Sequence, residues 1–544
     1  MSSLAQVAPD DAFGMLDTVA YYRGVQPNRL ALHDLGTGQR LTWLQLDARI
    51  DRCAAALEGL LGAPEGERVA LLGRNCADLL VVHFACIRIG AIFAPFNWRL
   101  AAPEISVLVQ DCAPRLLFLD PEFEPVVREL TGSHAIQRIL PLEPKGFQAL
   151  LDKATARPKA RRPARADKPS TLLYTSGTTG KPKGVIVTER GAFASTLNFC
   201  LCTRLTASSV MYCDMPLFHV AGLMSGARAP LMIGGAVVIS PKFDPELALQ
   251  RLSDPELGVT HTFFVTQMTQ ILREHPAYPL ADLSRLVCMT TGGAPNPAAN
   301  VQRWLDDGVV MADGFGMSEV GSAFNMPIDD VAVIRRKVGS SGLPLITLKH
   351  RLVDSDGKAC PPGKVGELRL KGPSVTTGYW NQPEATAKAF DEEGWFRSGD
   401  LAYVDEDGFI FLVDRLKDMF ISGGENVYPT EVENVIAELD VVSEAAVIAI
   451  PDPQWGEVGL AYVVPVPGAS IEPEQVIAHV RSRLARYKAP KQVVIVASLP
   501  RTASGKLQKN LLRDRWLKQG AEAAAAGDQK KGGWSLFRKK KQGA

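Results

Sequence analysis

At 544 residues, with 46% hydrophobic and 22% charged side chains, the chain has a soluble globular composition and exceeds the size of one hydrophobic core. A formal net charge of +1 excludes a global field that draws in nucleic acid. The nine cysteines are scattered, and the closest pair, Cys200 and Cys202, lacks zinc-knuckle or redox spacing, so they read as reduced thiols of a cytoplasmic protein.

The opening stretch MSSLAQVAPDDAFG has neither the basic start nor the apolar run of a secretory signal. The apolar region 68–97 is interrupted by Arg74, Asp78 and Arg88, short of the about 18 uncharged residues that spanning a bilayer needs. From there short β-branched or aliphatic runs alternate with amphipathic stretches: RVALLG, CADLLVVHFACIRIG, AIFAPFN, RLLFLD and GAVVIS. That alternation predicts α/β architecture with mostly parallel sheets. Residues 153–168, rich in Arg, Lys, Ala and Pro, read as a solvated connection rather than an RNA contact, because no aromatic residues are interleaved for stacking. Between 366 and 413 the runs shorten and turns multiply, as in a small antiparallel sheet or distorted barrel.

Beyond Asp414 a second α/β unit is predicted, with helices at PTEVENVIAEL and EQVIAHVRSRLARY and strands at EAAVIAI, AYVVPV and QVVIV. The expected division is an N-terminal domain over 1–414, a C-terminal domain over 415–520 and a low-complexity basic tail over 521–544 expected to be disordered. A peripheral membrane contact through that tail and a homodimer stand as open alternatives.

The strongest local signal is YTSGTTGKPKG, Tyr174 to Gly184, which follows the strand-like TLLY. Its glycines let a backbone approach phosphates, Thr175, Ser176, Thr178 and Thr179 add compact donors, and Lys181 and Lys183 neutralise charge. It is not a Walker A loop, since Pro182 stands where that motif needs Ser or Thr after the lysine.

With MPLFHVAG (Met215 to Gly222), TTGGAP (Thr290 to Pro295), DGFGMSE (Asp313 to Glu319), WFRSGD (Trp395 to Asp400), DRLKDMFISGGENVYP (Asp414 to Pro429) and PRTASGK (Pro500 to Lys506), the chain resembles the class I adenylate-forming superfamily, from about residue 20 to 515. The resemblance implies a large N-terminal domain of two α/β subdomains plus a small β-barrel-like one, and a small mobile C-terminal domain. It implies an ATP- and Mg²⁺-dependent acyl-CoA synthetase: a carboxylate becomes an acyl-adenylate with release of pyrophosphate, and coenzyme A then displaces AMP.

Residue roles follow from the same resemblance. Phe315, flanked by Gly314 and Gly316, is the expected adenine platform, with Asp313 accepting from the adenine amino group and Gly293 and Ala294 beside it. Thr175, Ser176, Gly177, Thr178, Thr179 and Lys183 are expected on the phosphates, Ser318 on the α-phosphate, and Glu319, with Thr175, on Mg²⁺. Asp400 is expected to accept the ribose hydroxyls and Arg415 to close over the ribose. Lys506 bridges the attacking carboxylate and the α-phosphate, and His219 positions the acid.

The resemblance also places a hinge at Lys417, a pantetheine passage at Gly423 and Gly424, and a CoA nucleotide contact at Tyr487 and Lys491. The acyl pocket, expected from His219, Phe264 and Gly292 and their neighbours, is apolar, which favours a medium or long-chain fatty acid first and an aromatic acid of cinnamate or benzoate type second. The remaining alternatives are a carrier-protein acceptor in place of CoA, and an inactive scaffold homologue.

Overall fold

Strands Arg68–Leu72, Ile92–Phe96 and Leu116–Leu119 are almost wholly apolar because parallel neighbours and helices on both faces leave no solvated side. They form the centre of a six-stranded sheet in the order 138–141, 116–119, 68–72, 92–96, 169–175, 183–188. Helices Trp43–Leu61 and Ala77–Ile89 pack apolar faces into one core with Val69, Leu71, Phe93 and Phe118. The structure is a computed structural model that describes residues 17–130, 135–154, 166–175, 182–294, 296–501 and 507–525.

A nine-stranded sheet follows, with parallel strands Leu30–Asp34, Ala236–Ile239, Val210–Cys213, His261–Phe264, Cys288–Thr291 and Met311–Met317 lying side by side in that order. Strand Met311–Met317 changes partner midway: Met311 to Asp313 pair in parallel with Met289 to Thr291, and Gly314 to Met317 pair antiparallel with Gly321–Asn325. The region expected to form a small β subdomain supplies a four-stranded sheet ordered Lys349–Val353, Gly366–Lys371, Phe396–Val404, Ile410–Arg415.

Internal contacts group the residues into two units, the first taking 1–351, 369–397 and 408–410, the second 352–368, 398–407 and 411–544. In the second, a long hairpin of Val442–Asp452 and Gly456–Pro465 takes Gln492–Ile495 alongside in parallel. Helices Pro429–Ile436 and Pro473–Arg483 bury Val432, Ile436, Val476 and Val480 against it with Phe420 and Val427. Helix Lys509–Ala525 runs five residues past the boundary expected at 520, consistent with the high helix propensity of its alanines. The helix is held from its first turn by a buried pair of Lys509 Nζ and Glu433, 2.7 Å apart.

Two first-unit sheets are tied together by one side chain. Asn75, buried in the loop after Arg68–Leu72, donates to the carbonyls of Met215 (2.9 Å) and Ser240 (3.1 Å) and accepts from the Leu217 N–H (2.8 Å). Replacing it with alanine strands three buried backbone groups, each a desolvation penalty. Asn75→Ala should lower unfolding free energy by about 2–4 kcal/mol, read from urea melts.

Candidate active site

The ends of the Tyr174 to Gly184 segment lie on two paired strands: Pro169–Thr175 and Lys183–Thr188 run antiparallel, with Thr175 opposite Lys183. The far edge of this hairpin is covered by residues 376–380: Ile186 N–H donates to Gly378 O, Trp380 N–H donates to Gly184 O, and Thr376 Oγ1 donates to Ile186 O. Thr376 N–H also donates to Glu319 O at 2.6 Å. These backbone bonds bring Tyr379, Lys183 and Glu319 together.

Tyr379 donates its hydroxyl to Glu319 Oε1 at 3.1 Å, and Lys183 Nζ stands 4.6 Å from the Tyr379 ring centroid. Burial, reinforced by the Glu319 charge, pushes the phenol above its ordinary range, so it remains a donor. Ser318 and Glu319 line a small cavity with Val220, Met224 and Ser374. Among the described residues no three acidic, histidine or cysteine side chains converge on one point. A single half-buried carboxylate, one of whose oxygens already takes the tyrosine hydroxyl, fits a Mg²⁺ whose remaining ligands are phosphate oxygens and water.

Asp313 and Phe315 share one face of their strand. One face of the Phe315 ring lies on Phe324, centroids 5.7 Å apart and planes at 24°. Such a ring, half-buried with one face already backed, suits stacking of a flat base on the other. The strands here approach so closely that a Cβ on Gly292 would stand 2.8 Å from the Gly314 carbonyl oxygen. Asp313 is buried and its Oδ1 accepts from the Thr291 hydroxyl at 2.8 Å. Burial pushes its carboxyl up to about 7, while Thr291, the Gly314 N–H and Asn296 pull the other way. Gly293 is exposed and Ala294 half-buried in the turn that follows Gly292.

His219 precedes a π-helix, Ala221–Arg228. Its Nδ1 accepts from the Ala221 N–H at 3.4 Å, which in the neutral ring puts the proton on Nε2 and makes that atom the donor. The far end of the π-helix is anchored by Arg228, bidentate to buried Glu189 at 3.0 and 2.8 Å and 3.2 Å from His83 Nε2. Burial raises the Glu189 carboxyl, but the Arg228 charge and hydrogen bonds outweigh it and hold the group down at about 2. Phe264 is fully buried, its ring 6.5 Å from Tyr212 and 6.1 Å from Phe243 between centroids.

In the second unit Asp400, buried, pairs with Arg415, whose Nε is 2.6 Å from its Oδ1. The two residues expected on the ribose thus sit together. Lys417 is exposed, between Asp414, which accepts from Thr430 N–H at 2.8 Å, and Asp418, which accepts from Arg513 at 2.7 Å. Gly423 and Gly424 form a two-residue hairpin turn with φ of +60° and +90°, as a type I′ turn requires. A Cβ on Gly423 would meet the Trp455 ring at 2.6 Å, and that ring is 44% exposed. Tyr487 packs on the second-unit core, and Lys491, expected on CoA, is paired with Asp452. Ser176, Gly177, Thr178, Thr179 and Lys506 lie outside the described residues.

Residues 22–380 match the family described as AMP-binding enzyme, and residues 431–506 match the AMP-binding enzyme C-terminal domain. This chain belongs to the AMP-binding enzyme family. It is 40% identical over 492 residues to a feruloyl-CoA synthase of Amycolatopsis sp., covering 90% of this chain and 97% of that one. It is 34% identical to an indoleacetate–CoA ligase of Aromatoleum aromaticum, covering 90% and 96%. Among solved structures, ATP-bound MatB from Rhodopseudomonas palustris matches with a TM-score of 0.84 and 30% identity, covering 93% of this chain and 97% of that one. The protein is an AMP-forming acid:CoA ligase of the class I adenylate-forming superfamily, with ATP, Mg²⁺ and CoA as its cofactor and co-substrates.

Tyr379, Asn75 and Trp455 were not singled out by sequence motifs. Only the Gly378-Tyr379-Trp380 aromatic pair in an otherwise polar stretch hinted at the first. Tyr379→Phe removes one hydrogen bond to a charged group, worth about 1.5–3 kcal/mol. If Glu319 holds the metal, kcat/KM for ATP should fall roughly ten-fold or more, with the KM for the acid little changed.

Another buried acid of the ligase lies beside the His219 segment. Both oxygens of Asp214 are buried, and burial pushes its carboxyl up to about 8, with its own backbone N–H, the Arg251 charge and the Tyr212 hydroxyl opposing. Its folded-state value lies above the unfolded one, so the folded protein holds the extra proton between them. The stability tied to that proton is complete below about pH 4 and is lost as pH rises through about 8. Asp214→Asn should flatten the fall of unfolding free energy over about pH 5–8 by up to about 1.4 kcal/mol per unit, measured by urea melts across pH.

Proposed function

We propose that this ligase activates an aromatic carboxylic acid of the arylpropenoate class and transfers its acyl group to CoA, in preference to the fatty acid placed first on sequence grounds. What carries the reading is the 40% identity to a feruloyl-CoA synthase along 97% of its length, supported by the likeness to an indoleacetate–CoA ligase.

In this reading Phe315 stacks the adenine and Asp313 accepts its amino group. Asp400 takes the ribose hydroxyls. The His219 Nε2–H holds one carboxylate oxygen of the acid, leaving the other to attack the α-phosphorus as pyrophosphate departs. Lys506 and Lys183 offset the negative charge crowded there, and the Thr175 to Thr179 loop and Ser318 donate to phosphate oxygens. Glu319, oriented by Tyr379, holds Mg²⁺ with Thr175, and the bound ion neutralises charge on the phosphates. In the second step the CoA sulfur attacks the acyl carbon, the thiol proton leaves to solvent, and AMP departs with the bonding electrons of the anhydride.

The second step requires a passage for the pantetheine arm, which the reading assigns to the Gly423-Gly424 turn, with Lys417 as the pivot that brings it into use. Exposed Lys417 between two tethered aspartates is suited to absorbing a backbone rotation. Tyr487 and Lys491 then serve the CoA nucleotide, for which Lys491 must exchange Asp452 for phosphate.

The test is pyrophosphate release and thioester formation with ATP and Mg²⁺ across hydroxycinnamic, benzoic, indolic and C8–C16 fatty acids, with and without CoA. Arylpropenoates should show kcat/KM at least ten-fold above the fatty acids, and turnover should need CoA. A C8–C16 optimum returns the substrate to fatty acids, adenylation without thioester points to a carrier-protein acceptor, and no turnover with any acid removes the enzymatic reading.

A further inference from the structure

Behind Asp313 runs a file of buried polar side chains drawn from four elements. The Asn300 Nδ2 donates to Thr269 Oγ1 (3.0 Å) and to Asn296 Oδ1 (2.9 Å). Asn296 Nδ2 donates to Thr291 Oγ1 (3.1 Å), and Thr291 Oγ1 donates to Asp313 Oδ1 (2.8 Å). Thr269 in turn donates to the Thr266 carbonyl at 2.6 Å. All five side chains are less than a tenth exposed, Thr269 and Thr291 fully buried.

With Asp313 ionised, the direction of donation is fixed by chemistry. An amide nitrogen only donates, so Thr291 must accept from Asn296 and has a single proton left to give. That proton goes to Asp313, which fixes one carboxylate oxygen from behind and sets the plane of the group. The neighbours that act on this carboxylate are Thr291, Asn296 and the Gly314 N–H, none of them charged, so its orientation is set by hydrogen bonds alone. A core that needed only packing gains nothing from four linked polar groups at this depth, where an apolar side chain avoids their desolvation.

We propose that Asn296, acting through Thr291, is a positioning residue for base selection: it holds the Asp313 carboxylate in the orientation that receives the 6-amino group of the purine. The inference rests on the assignment of Phe315 and Asp313 to the adenine. Asn296 itself touches no substrate. Its effect therefore falls on the distinction between nucleotides that carry the amino group and those that lack it, and not on the acid or the chemical step.

The full-length protein is assayed with ATP and with purine riboside 5′-triphosphate, which lacks only the 6-amino group, using the best acid found. The wild type should favour ATP by roughly ten-fold or more in kcat/KM, the worth of one hydrogen bond to a charged group. Asn296→Leu should bring that preference to within about three-fold, with kcat at saturating ATP and the KM of the acid near wild type. Thr291→Val removes the same link at almost constant volume and should do the same, which keeps the question answerable if the leucine variant does not fold. Variants that keep the wild-type preference, or that lose activity equally with both nucleotides, overturn the positioning role. A wild type that adenylates acids but treats the two nucleotides alike overturns it while leaving the ligase reading intact, and one that turns over neither overturns both.

Discussion

The placement of Asp313 to Glu319 in the first unit depends on one strand changing partners halfway along. Met311 to Asp313 belong to a parallel sheet, while Gly314 to Met317 turn onto an antiparallel neighbour. Parallel pairing buries Asp313 among Thr291 and Asn296; the switch then carries Phe315 onto Phe324 and delivers Ser318 and Glu319 to the end of the strand. The glycines on either side of Phe315 are what permit the change, because the carbonyls of Gly321 and Phe324 stand within 3 Å of where their Cβ atoms would lie. Place a larger residue there and the Phe315 ring, the buried Asp313 and Glu319 would all shift together.

A second dependence is electrostatic. Glu189 is the first residue of the helix that follows Lys183–Thr188, and its bidentate pair with Arg228 links the hairpin bearing the phosphate loop to the helix that follows His219. A pair this buried adds little net stability once desolvation is counted, but breaking it by removing one partner is expensive. Its value is geometric: it fixes where the helix after His219 ends relative to the hairpin.

The sequence was most legible where chemistry is local. The hydroxyl-rich loop announces itself because its residue types make sense only at that spacing, whereas the Asp313 to Glu319 run and Gly423-Gly424 were legible only through the family resemblance. The doubly buried strands were equally plain from their unbroken apolar runs. What could not be read were partners brought together by folding: Tyr379 meets Glu319 across 60 residues, and Asn75 meets Met215 across 140. Asn296 and Asn300 look like ordinary helix-start polar residues in sequence, and only the register of four elements turns them into one hydrogen-bonded file. The choice between fatty and aromatic acids was illegible for a related reason, since apolar composition gives a pocket's character but not its depth.

The π-helix after His219 bears on how that histidine can be re-aimed. A π turn accommodates one more residue than an α turn, so deleting a single residue between Ala221 and Arg228 would let the segment relax into ordinary α-helix. With Arg228 locked to Glu189 at one end, the slack would be taken up at the other, turning the His219 side by about 100° about the helix axis. Single-residue insertions and deletions in this stretch are therefore a short route by which descendants of this fold could re-aim His219 while every strand of the scaffold stayed where it is.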